Sequence, residues 1–573
     1  MKFDELEMDP AKNPAVLDTA TWNPTTVFEA VKKAGDQWLA VKRAVADRAE
    51  LPVLDGVTVQ TAGHVWQAET LVLLAGFRDG QQAFVTIGGS APCEALGKPI
   101  GHVSVGDGCV VSVHPADAVT VARFCRTMAP VNAPRQLGRT PPLGVGVRMT
   151  TAVWPGIFDA MDRQHFAANS IQNSVRELNI LDDLLAGEPA PKNYACGFGE
   201  IETGYTGSSF EGLWLSGVLA ALRHDKPLQY GADADHIQVK RDDSGLARAR
   251  RVLDAARYYT FYTIDVSDVL DYATLHGDSW TESRLVETIP DARERRDLMA
   301  WHTEPALVSD QTRMMDADAV GRFATKYAGA MTALSELLDH LQHLKEGQPF
   351  DLELSIDEHP PEVRAFDCLT SDDELLFVLR EIKRRNLPVT HIAPNVGVEK
   401  GWDYRHPDGL DGLHRRIHTQ HLLAEEFDCI LDIHSADDLG QTTRDTLRQA
   451  TGGRLHYKIS PSVQLLFAEV LRDFHPDLYQ RWWQDAEAYA KRSAEGGSTF
   501  AAECLAATTP ADPLPSPTHP VFHHYSFAFV GRRDEKGRFL YRDEFYDLSQ
   551  TFHQAYRERQ SEQLCRLASE VLG

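Results

Sequence analysis

The chain has 573 residues, with 83 acidic and 58 basic side chains and a formal net charge of −25. An acidic surface of this kind repels the phosphate backbone of nucleic acids and the anionic surface of membranes, so neither is expected as a partner. Apolar residues at 43% and charged residues at 25% are ordinary values for a folded globular protein.

The first residues of the sequence and the pattern of its cysteines indicate the cellular compartment in which the protein is found. The segment MKFDELEMDPAK is acidic, where a secretion signal would be basic and then apolar, and no apolar run approaches the roughly 18 residues of a membrane span. The eight cysteines form no C-x-x-C pair, and several lie in apolar runs, as reduced core cysteines do. We therefore predict a cytoplasmic protein.

Residues 1–140 are predicted to form an accessory α+β domain. Two β-type runs, at 69–77 and 82–89, precede a candidate helix over 117–128, and a segment with Pro and Gly follows at 133–142. No motif with catalytic side chains stands out in this part of the chain, so it is assigned no catalytic role.

The segment 141–465 alternates β-type runs with helical ones, which is the pattern of a parallel sheet covered by helices. Ser371 and Glu374 form a capping box that begins one helix, and Gly452 and Gly453 end another. We predict an α/β fold, a (β/α)8 TIM-barrel-like catalytic domain, with an open doubly wound sheet as the structural alternative. The eight predicted strands are 143–149, 166–174, 228–236, 259–267, 350–357, 389–396, 428–435 and 454–460.

Two further segments complete the organisation. Residues 268–349 form an insertion in the barrel that ends in a long helix, where apolar side chains recur at helical spacing from Val320 to Leu341. That stripe indicates packing. Residues 466–573 are predicted to be a mostly helical C-terminal extension with a Pro-rich break at 509–520.

Polar side chains accumulate at the ends of the predicted strands, which is where TIM barrels carry their active sites. In LELSIDE, the side chains of Glu353, Ser355 and Asp357 share one face of the strand, because successive residues of a strand point to opposite faces. Carboxylates that point into a barrel are costly unless a cation or a catalytic role compensates for them.

The neighbouring strands add imidazole groups to these carboxylates. A mixed nitrogen and oxygen set suits a divalent transition metal such as Zn2+, Mn2+, Ni2+ or Co2+ better than Mg2+ or Ca2+. A single histidine at a strand end is more often a hydrogen-bonded structural residue, and His236 is out of phase with Asp233 and Asp235. From strand geometry alone, the predicted metal ligands are His236, Glu353, His434 and His456.

At these residues the sequence resembles the tagaturonate/fructuronate epimerase family, which is related to fructose/tagatose 4-epimerases. The resemblance covers most of residues 143–460, and the order and spacing of its short segments match together. It implies a metal-dependent epimerase of ketohexuronates, an isomerase, on a TIM-barrel-like fold. The segments are IQNSVREL (171–178), YGADADH (230–236), YTIDVSD (262–268), LELSIDE (352–358), EKGWDY (399–404), HSADD (434–438) and ATGGRLHYK (450–458).

The resemblance also implies roles for individual residues. The predicted catalytic residues are Asp235, Asp357 and Lys458, with either carboxylate as the general base. Two departures leave the substrate less defined than the chemistry: Asp438 stands where the family usually has lysine, and ISPSV follows Lys458 in place of a Thr/Gly-rich turn. The predicted substrate-binding residues are Arg148, Gln172, Asn173, Arg176, Asn395 and His523.

The expected reaction interconverts D-tagaturonate and D-fructuronate, or related ketohexoses, by inverting a carbinol carbon β to the ketone. Because that C–H bond is not acidified by the ketone, retro-aldol cleavage and re-addition is the expected route. The alternatives are a metal-dependent isomerase or aldolase on another keto-sugar, and an inactive sugar-binding relative. A metallohydrolase is disfavoured, since H-x-H and H-E-x-x-H spacings are absent. The expected partner is a small sugar or sugar acid, and homo-oligomerisation stays open.

Overall fold

The computed structural model describes most of the chain. The described residues are 2–3, 6–7, 23–174, 192–195, 199–202, 205–224, 226–240, 244–275, 282–308, 311–358, 365–399, 401–507, 514–534 and 539–573. The predicted substrate-binding residue Arg176 lies outside them.

The first part of the chain contains an antiparallel sheet with helices on one face. The short strands β1 (Lys2–Phe3) and β2 (Leu6–Glu7) pair with each other, and helices α1 (Pro24–Ala34) and α2 (Gln37–Asp47) follow. The five-stranded sheet has the order β3-β4-β5-β7-β6, and helix α3 (Ala118–Thr127) comes after it. Its strands are β3 (Val57–Gln67), β4 (Thr70–Phe77), β5 (Gln82–Ile87), β6 (Gly101–Ser104) and β7 (Val110–Pro115).

Both faces of this sheet are apolar, and they belong to different cores. Leu71 and Leu73 pack with Trp38 in a cluster formed with α1 and α2. Their neighbours in the strand, Val72 and Leu74, belong to the same cluster as the barrel. The two-residue alternation of a strand therefore ties the sheet to its own helices on one side and to the barrel on the other.

Eight parallel strands close into a barrel, so the predicted closed architecture is confirmed and the open sheet is excluded. Closure depends on parallel pairing of the last strand with the first, in which Lys458 lies opposite Gly144. The barrel strands are β8 (Pro142–Gly146), β9 (Ala167–Ser174), β12 (Tyr230–Gln238), β13 (Phe261–Asp265), β16 (Asp351–Ile356), β17 (His391–Pro394), β18 (Ile430–Ile433) and β19 (Leu455–Ile459). Each overlaps one of the eight predicted strands.

Helices surround the barrel, and the predicted boundary signals are present. The Ser371 hydroxyl accepts from the Glu374 amide, the Glu374 carboxylate accepts from the Ser371 amide, and Gly452 ends a later helix in the left-handed conformation. These helices are α4 (Trp154–Gln164), α5 (Phe210–Leu222), α6 (Gly245–Ala255), α7 (Glu282–Thr288), α8 (Ala292–Thr303), α9 (Ala317–Lys345), α10 (Asp372–Arg384), α11 (Gly409–Glu426) and α12 (Gln441–Thr451).

The segment between β13 and β16 carries the predicted long helix, α9. Its stripe is buried at Val320, Tyr327 and Leu341, among others, so it packs in the core as expected. Two short hairpins also lie outside the barrel sheet: β10 (Lys192–Ala195) with β11 (Gly199–Glu202), and β14 (Ala306–Val308) with β15 (Gln311–Arg313).

In the described part of the chain six helices follow the barrel, and one of them, α18, binds a helix on each side of the seam where β19 pairs with β8. Arg557 of α18 binds Asp159 of α4 through two contacts of 2.6 and 2.8 Å, and Arg444 binds Glu570 at 2.7 Å. Among the described residues, no helix has the length and apolar composition needed to cross a membrane. The six helices are α13 (Pro461–Phe474), α14 (Pro476–Glu495), α15 (Thr499–Ala506), α16 (Pro520–Tyr525), α17 (Arg542–Tyr546) and α18 (Gln550–Val571).

Candidate active site

His434 lies between two carboxylates just beyond β18. Its Nε2 atom is 2.7 Å from Glu353 Oε1 and its Nδ1 atom is 3.1 Å from Asp357 Oδ2. Neither nitrogen makes a hydrogen bond of acceptable geometry, and Glu353 Oε1 has no hydrogen-bond partner in the described part of the chain. Burial opposes a charge on His434, but Asp357 and Glu353 outweigh it and raise its pKa.

His236 reaches the same place because β12 is irregular. Its pairing with β13 shifts register between Ala234 and Ile237, and His236 has a φ of 51°, in the left-handed region that non-glycine residues rarely adopt. The His236 and His434 rings are edge-to-face with centroids 4.7 Å apart. His236 Nδ1 lies 3.3 Å from Asp265 Oδ2, which fixes the orientation of the ring.

The Lys458 ammonium sits among three buried carboxylates. Nζ is 2.5 Å from Glu353 Oε2, 2.9 Å from Asp235 Oδ1 and 3.2 Å from Asp233 Oδ2, and it also donates to the Thr263 hydroxyl at 2.9 Å. Burial disfavours the ammonium, but the carboxylates reverse this and raise the Lys458 pKa. Burial also raises the pKa of Asp233, to about 7, whereas Lys458 and His236 hold that of Asp235 below its usual range.

His456 occupies a different environment from the other predicted ligands. Its Nδ1 atom is 2.8 Å from Asp432 Oδ2, and its Nε2 atom is 3.4 Å from the Asn169 amide nitrogen. The ring also lies edge-on to His391, with centroids 5.6 Å apart. Burial lowers the pKa of His456 and lowers that of His391 to about 4, so both rings are neutral near pH 7.

Among the described residues, three groups that have members in common each bring their ligand atoms close enough to hold one metal ion. Within each group the atoms lie within 4.8 Å of one another. The four predicted ligands do not form one group, since His456 belongs with His391 and not with His236. The groups are Asp235, His236 and His434; Glu353, Asp432 and His434; and His391, Asp432 and His456.

A cavity of about 560 Å3, including its part open to solvent, lies over the group of Asp235, His236 and His434. Arg148 is 8% exposed, and its guanidinium donates to the Ser460 hydroxyl and lies 4.9 Å from the centre of the Tyr205 ring. Gln172 donates to Asp235 Oδ2 at 3.1 Å. The cavity wall includes Arg148, Gln172, Asp235, His236, His434 and Lys458.

The other predicted substrate-binding residues lie elsewhere. Asn173 is buried and is not among the residues that line the cavity. Asn395 is buried and hydrogen-bonds Cys368 and the Gly397 amide, so it organises a loop. His523 Nε2 is 3.5 Å from Asp438 Oδ1, at the rim of the barrel.

Several residues of the site were not among the predicted site residues. Asp265 contacts His236, Asp432 contacts His456, and Asp233 and Thr263 contact Lys458. The strand periodicity contained a signal for three of them: Asp233 is in phase with Asp235, Thr263 with Asp265, and Asp432 with His434. Asp437, also outside the predicted set, lines the cavity from the loop after β18, where no periodicity applies.

The UxaE family model, described as tagaturonate epimerase, matches residues 202–569, which is more than half of the chain. The chain belongs to the UxaE tagaturonate epimerase family. Proteins of the UxaE family are carbohydrate epimerases and therefore isomerases. No curated protein sequence matches the chain.

Crystal structures of fructuronate-tagaturonate epimerase UxaE from Cohnella laeviribosi share the fold. The complex with one glycerol has a TM-score of 0.65 and 18% identity, covering 93% of this chain and 99% of that one. The complex with two glycerols gives 0.63 and 20%, covering 94% and 99%. The native form gives 0.61 and 20%, covering 90% and 96%.

The two segments that the sequence analysis interprets as departures from the family pattern lie near each other at the rim of the site. Asp438 Oδ2 accepts from the Gly401 amide at 2.7 Å, and Asp438 Oδ1 faces His523. The neighbouring Asp437 Oδ1 accepts from the amides of Ser460 and Ser462, each at 2.8 Å. Both segments therefore belong to hydrogen-bonded loops around the cavity.

Proposed function

We propose that this protein interconverts D-tagaturonate and D-fructuronate by a metal-dependent retro-aldol and aldol sequence. The observation that carries the proposal is His434, buried between Glu353 and Asp357 in a barrel of the UxaE family, with neither ring nitrogen in a hydrogen bond of good geometry among the described residues. A histidine in this position is suited to bind a ligand that is not part of the protein, such as a metal ion.

The donor atoms fit a divalent transition metal. His434 and His236 present ring nitrogens within 4.8 Å of each other, and Glu353 Oε1 faces His434. A set of imidazoles and carboxylates matches the preference of Mn2+, Ni2+, Co2+ or Zn2+. Asp265 would hold the His236 ring in place from behind, as carboxylates commonly do for metal-bound histidines. His456 is assigned to positioning, because Asp432 holds it away from His236.

When bound, the metal would polarise the substrate ketone and stabilise negative charge on its oxygen. Asp235 takes the proton of the hydroxyl on the carbon to be inverted. The bond from that carbon to the carbon next to the ketone then breaks; its electrons form an enediolate, and the carbinol carbon becomes an aldehyde. Rotation of the aldehyde and re-formation of the bond invert the centre, and Asp235 returns the proton.

Lys458 and Arg148 are the two positively charged side chains that act in the proposed mechanism. Lys458 touches Asp235 at 2.9 Å, so its ammonium can stabilise charge that develops beside the base. Arg148 is a buried guanidinium in the wall of the cavity and is suited to pair with the substrate carboxylate. Asp357, the other candidate base, lies against His434 and Ser355 and is left the role of orienting His434.

The direct test uses metal-stripped protein. It is given D-tagaturonate, D-fructuronate, D-fructose and D-tagatose, each with Mn2+, Ni2+, Zn2+ or no metal. We expect the two uronates to interconvert only when metal is present, and H434N to lose this turnover. Inactivity on all four sugars with every metal would refute the epimerase proposal. Turnover of D-fructose and D-tagatose alone would instead indicate that the substrates are neutral ketohexoses and not uronates.

The route is tested separately in deuterium oxide. Retro-aldol cleavage leaves the hydrogen on the inverted carbon in place throughout, so the product should carry no solvent deuterium there. Deuterium at that carbon, detected by NMR, would exclude the retro-aldol route and leave the epimerase activity itself untouched.

A further inference from the structure

The loops after the seventh and eighth barrel strands, β18 and β19, form one end of the cavity. Helix α13 begins there at Pro461, directly after Ser460, and both residues line the cavity together with Asp437. In (β/α)8 barrels this is a frequent place for a phosphate group, which binds to the amides of these loops and of a helix N-terminus.

In this chain those amides already have an acceptor. Asp437 Oδ1 accepts from the Ser460 and Ser462 amides, each at 2.8 Å. Asp437 is half-buried and lies in the cavity wall, so its carboxylate stands where an incoming anion would seek donors. Even in its acid form, the side chain would still hold both amides.

The charges on the rim are also unfavourable for a dianion. Arg148, at Ser460, supplies one positive charge, which matches a single substrate carboxylate. A phosphate monoester carries up to two negative charges and would approach Asp437 and the adjacent Asp438. Like charges brought together in this way are a common means of rejecting the wrong ligand.

We propose that Asp437 excludes phosphorylated sugars from the site, so that the substrates are free keto-sugars or sugar acids. The inference rests on the proposed function only in naming sugars as the ligand class. It assigns Asp437 as a specificity residue that does not take part in the chemistry.

The test measures binding, so that it does not depend on turnover. Inorganic phosphate and D-fructose 6-phosphate are titrated calorimetrically into the intact protein, D437A, D437N and a control, D445N. D437A frees the amides and removes the charge, whereas D437N removes only the charge and keeps an acceptor. Asp445 lies on α12 beside Arg448, and D445N changes the net charge equally. Circular dichroism checks that each variant is folded.

We expect D437A to bind both phosphate compounds at least tenfold more tightly than the unaltered protein, D437N to fall between them, and D445N to remain unchanged. If D437A does not fold, a gain in D437N alone still supports the proposal. Folded D437A and D437N with no gain, or tight binding of D-fructose 6-phosphate by the unaltered protein, would overturn it. A gain in phosphate binding without any uronate turnover would leave this inference standing and reject the proposed function.

Discussion

Lys458 balances the charge inside the barrel. Its ammonium touches Glu353, Asp235 and Asp233, and it is 3% exposed. Removal of one partner of a buried ion cluster leaves uncompensated charge and typically costs about 3–5 kcal/mol. The carboxylates cannot escape this cost by moving into water, because they lie on the inner faces of barrel strands.

We expect K458M to lower kcat for uronate epimerisation by at least about 100-fold and the free energy of unfolding by about 3–5 kcal/mol. Lys345 provides a matched control, since it is also buried but donates to the backbone carbonyls of Arg257 and Tyr259. K345M should lower stability and leave kcat intact. Steady-state kinetics and urea unfolding measure both; a K458M enzyme with kcat within a few-fold of normal would contradict the assignment.

Asp265 acts through another residue, because it contacts the His236 ring from outside the cavity. Loss of such a carboxylate typically weakens metal binding by about 10–100-fold. We expect this loss for Mn2+ in D265N, measured by isothermal titration calorimetry, with little change in D254N. Asp254 also pairs with a histidine, His340, but both side chains are partly exposed to solvent. Equal Mn2+ affinity in D265N and the unaltered protein would exclude Asp265 as a positioning residue.

At the scale of the element, the strands were predictable and the bulge was not. The eight strands follow from local composition and two-residue alternation, and the capping box and Gly452 likewise depend on near neighbours. The alternation of a regular strand places His236 out of phase with the site, whereas its left-handed φ of 51° turns the side chain toward the site. Contacts such as Asp437 with Ser460 join distant loops, so no local pattern could predict them.

Strand β7 carries a buried histidine with a consequence for acid stability. Burial lowers the pKa of His114 from 6.5 to about 4. The unfolded chain therefore takes up a proton between these values while the folded chain does not, so His114 contributes no penalty above pH 6.5 and costs stability as the pH falls toward 4.

Over that range the unaltered protein should lose up to about 3 kcal/mol more stability than H114F. Urea unfolding at pH 7.5, 5.5 and 4.5 measures the difference, and comparison with H114F cancels the titration of other groups. Parallel loss of stability in the two proteins would show that His114 is not the group responsible.

The whole molecule is held together by a core that extends past the barrel. Val72, Leu74 and Phe84 of the five-stranded sheet share one apolar cluster with the barrel helices. A shared cluster of this size couples the unfolding of the two parts, because neither can separate without exposing apolar surface to water.

Phe84 is fully buried in this shared cluster. We expect F84A to cost about 3–5 kcal/mol and to lower the unfolding midpoints of helical content and of epimerase activity together. Val119, which is 50% exposed on α3, gives the control V119A, for which both midpoints should stay in place. A lowered circular dichroism midpoint with an unchanged activity midpoint in F84A would show that the sheet unfolds independently.

Helix α18 has a consequence for how the molecule is made. It lies on α4 so closely that a methyl group at Gly156 would come within 2.6 Å of the Gln560 side chain, and Glu570 ties it to α12. Apolar side chains of α18, such as Leu564 and Val571, belong to the same cluster as the barrel, and they are translated only after all eight strands. During synthesis, therefore, the barrel strands are complete before this part of the shared cluster can form, and apolar surface exposed in that interval favours aggregation.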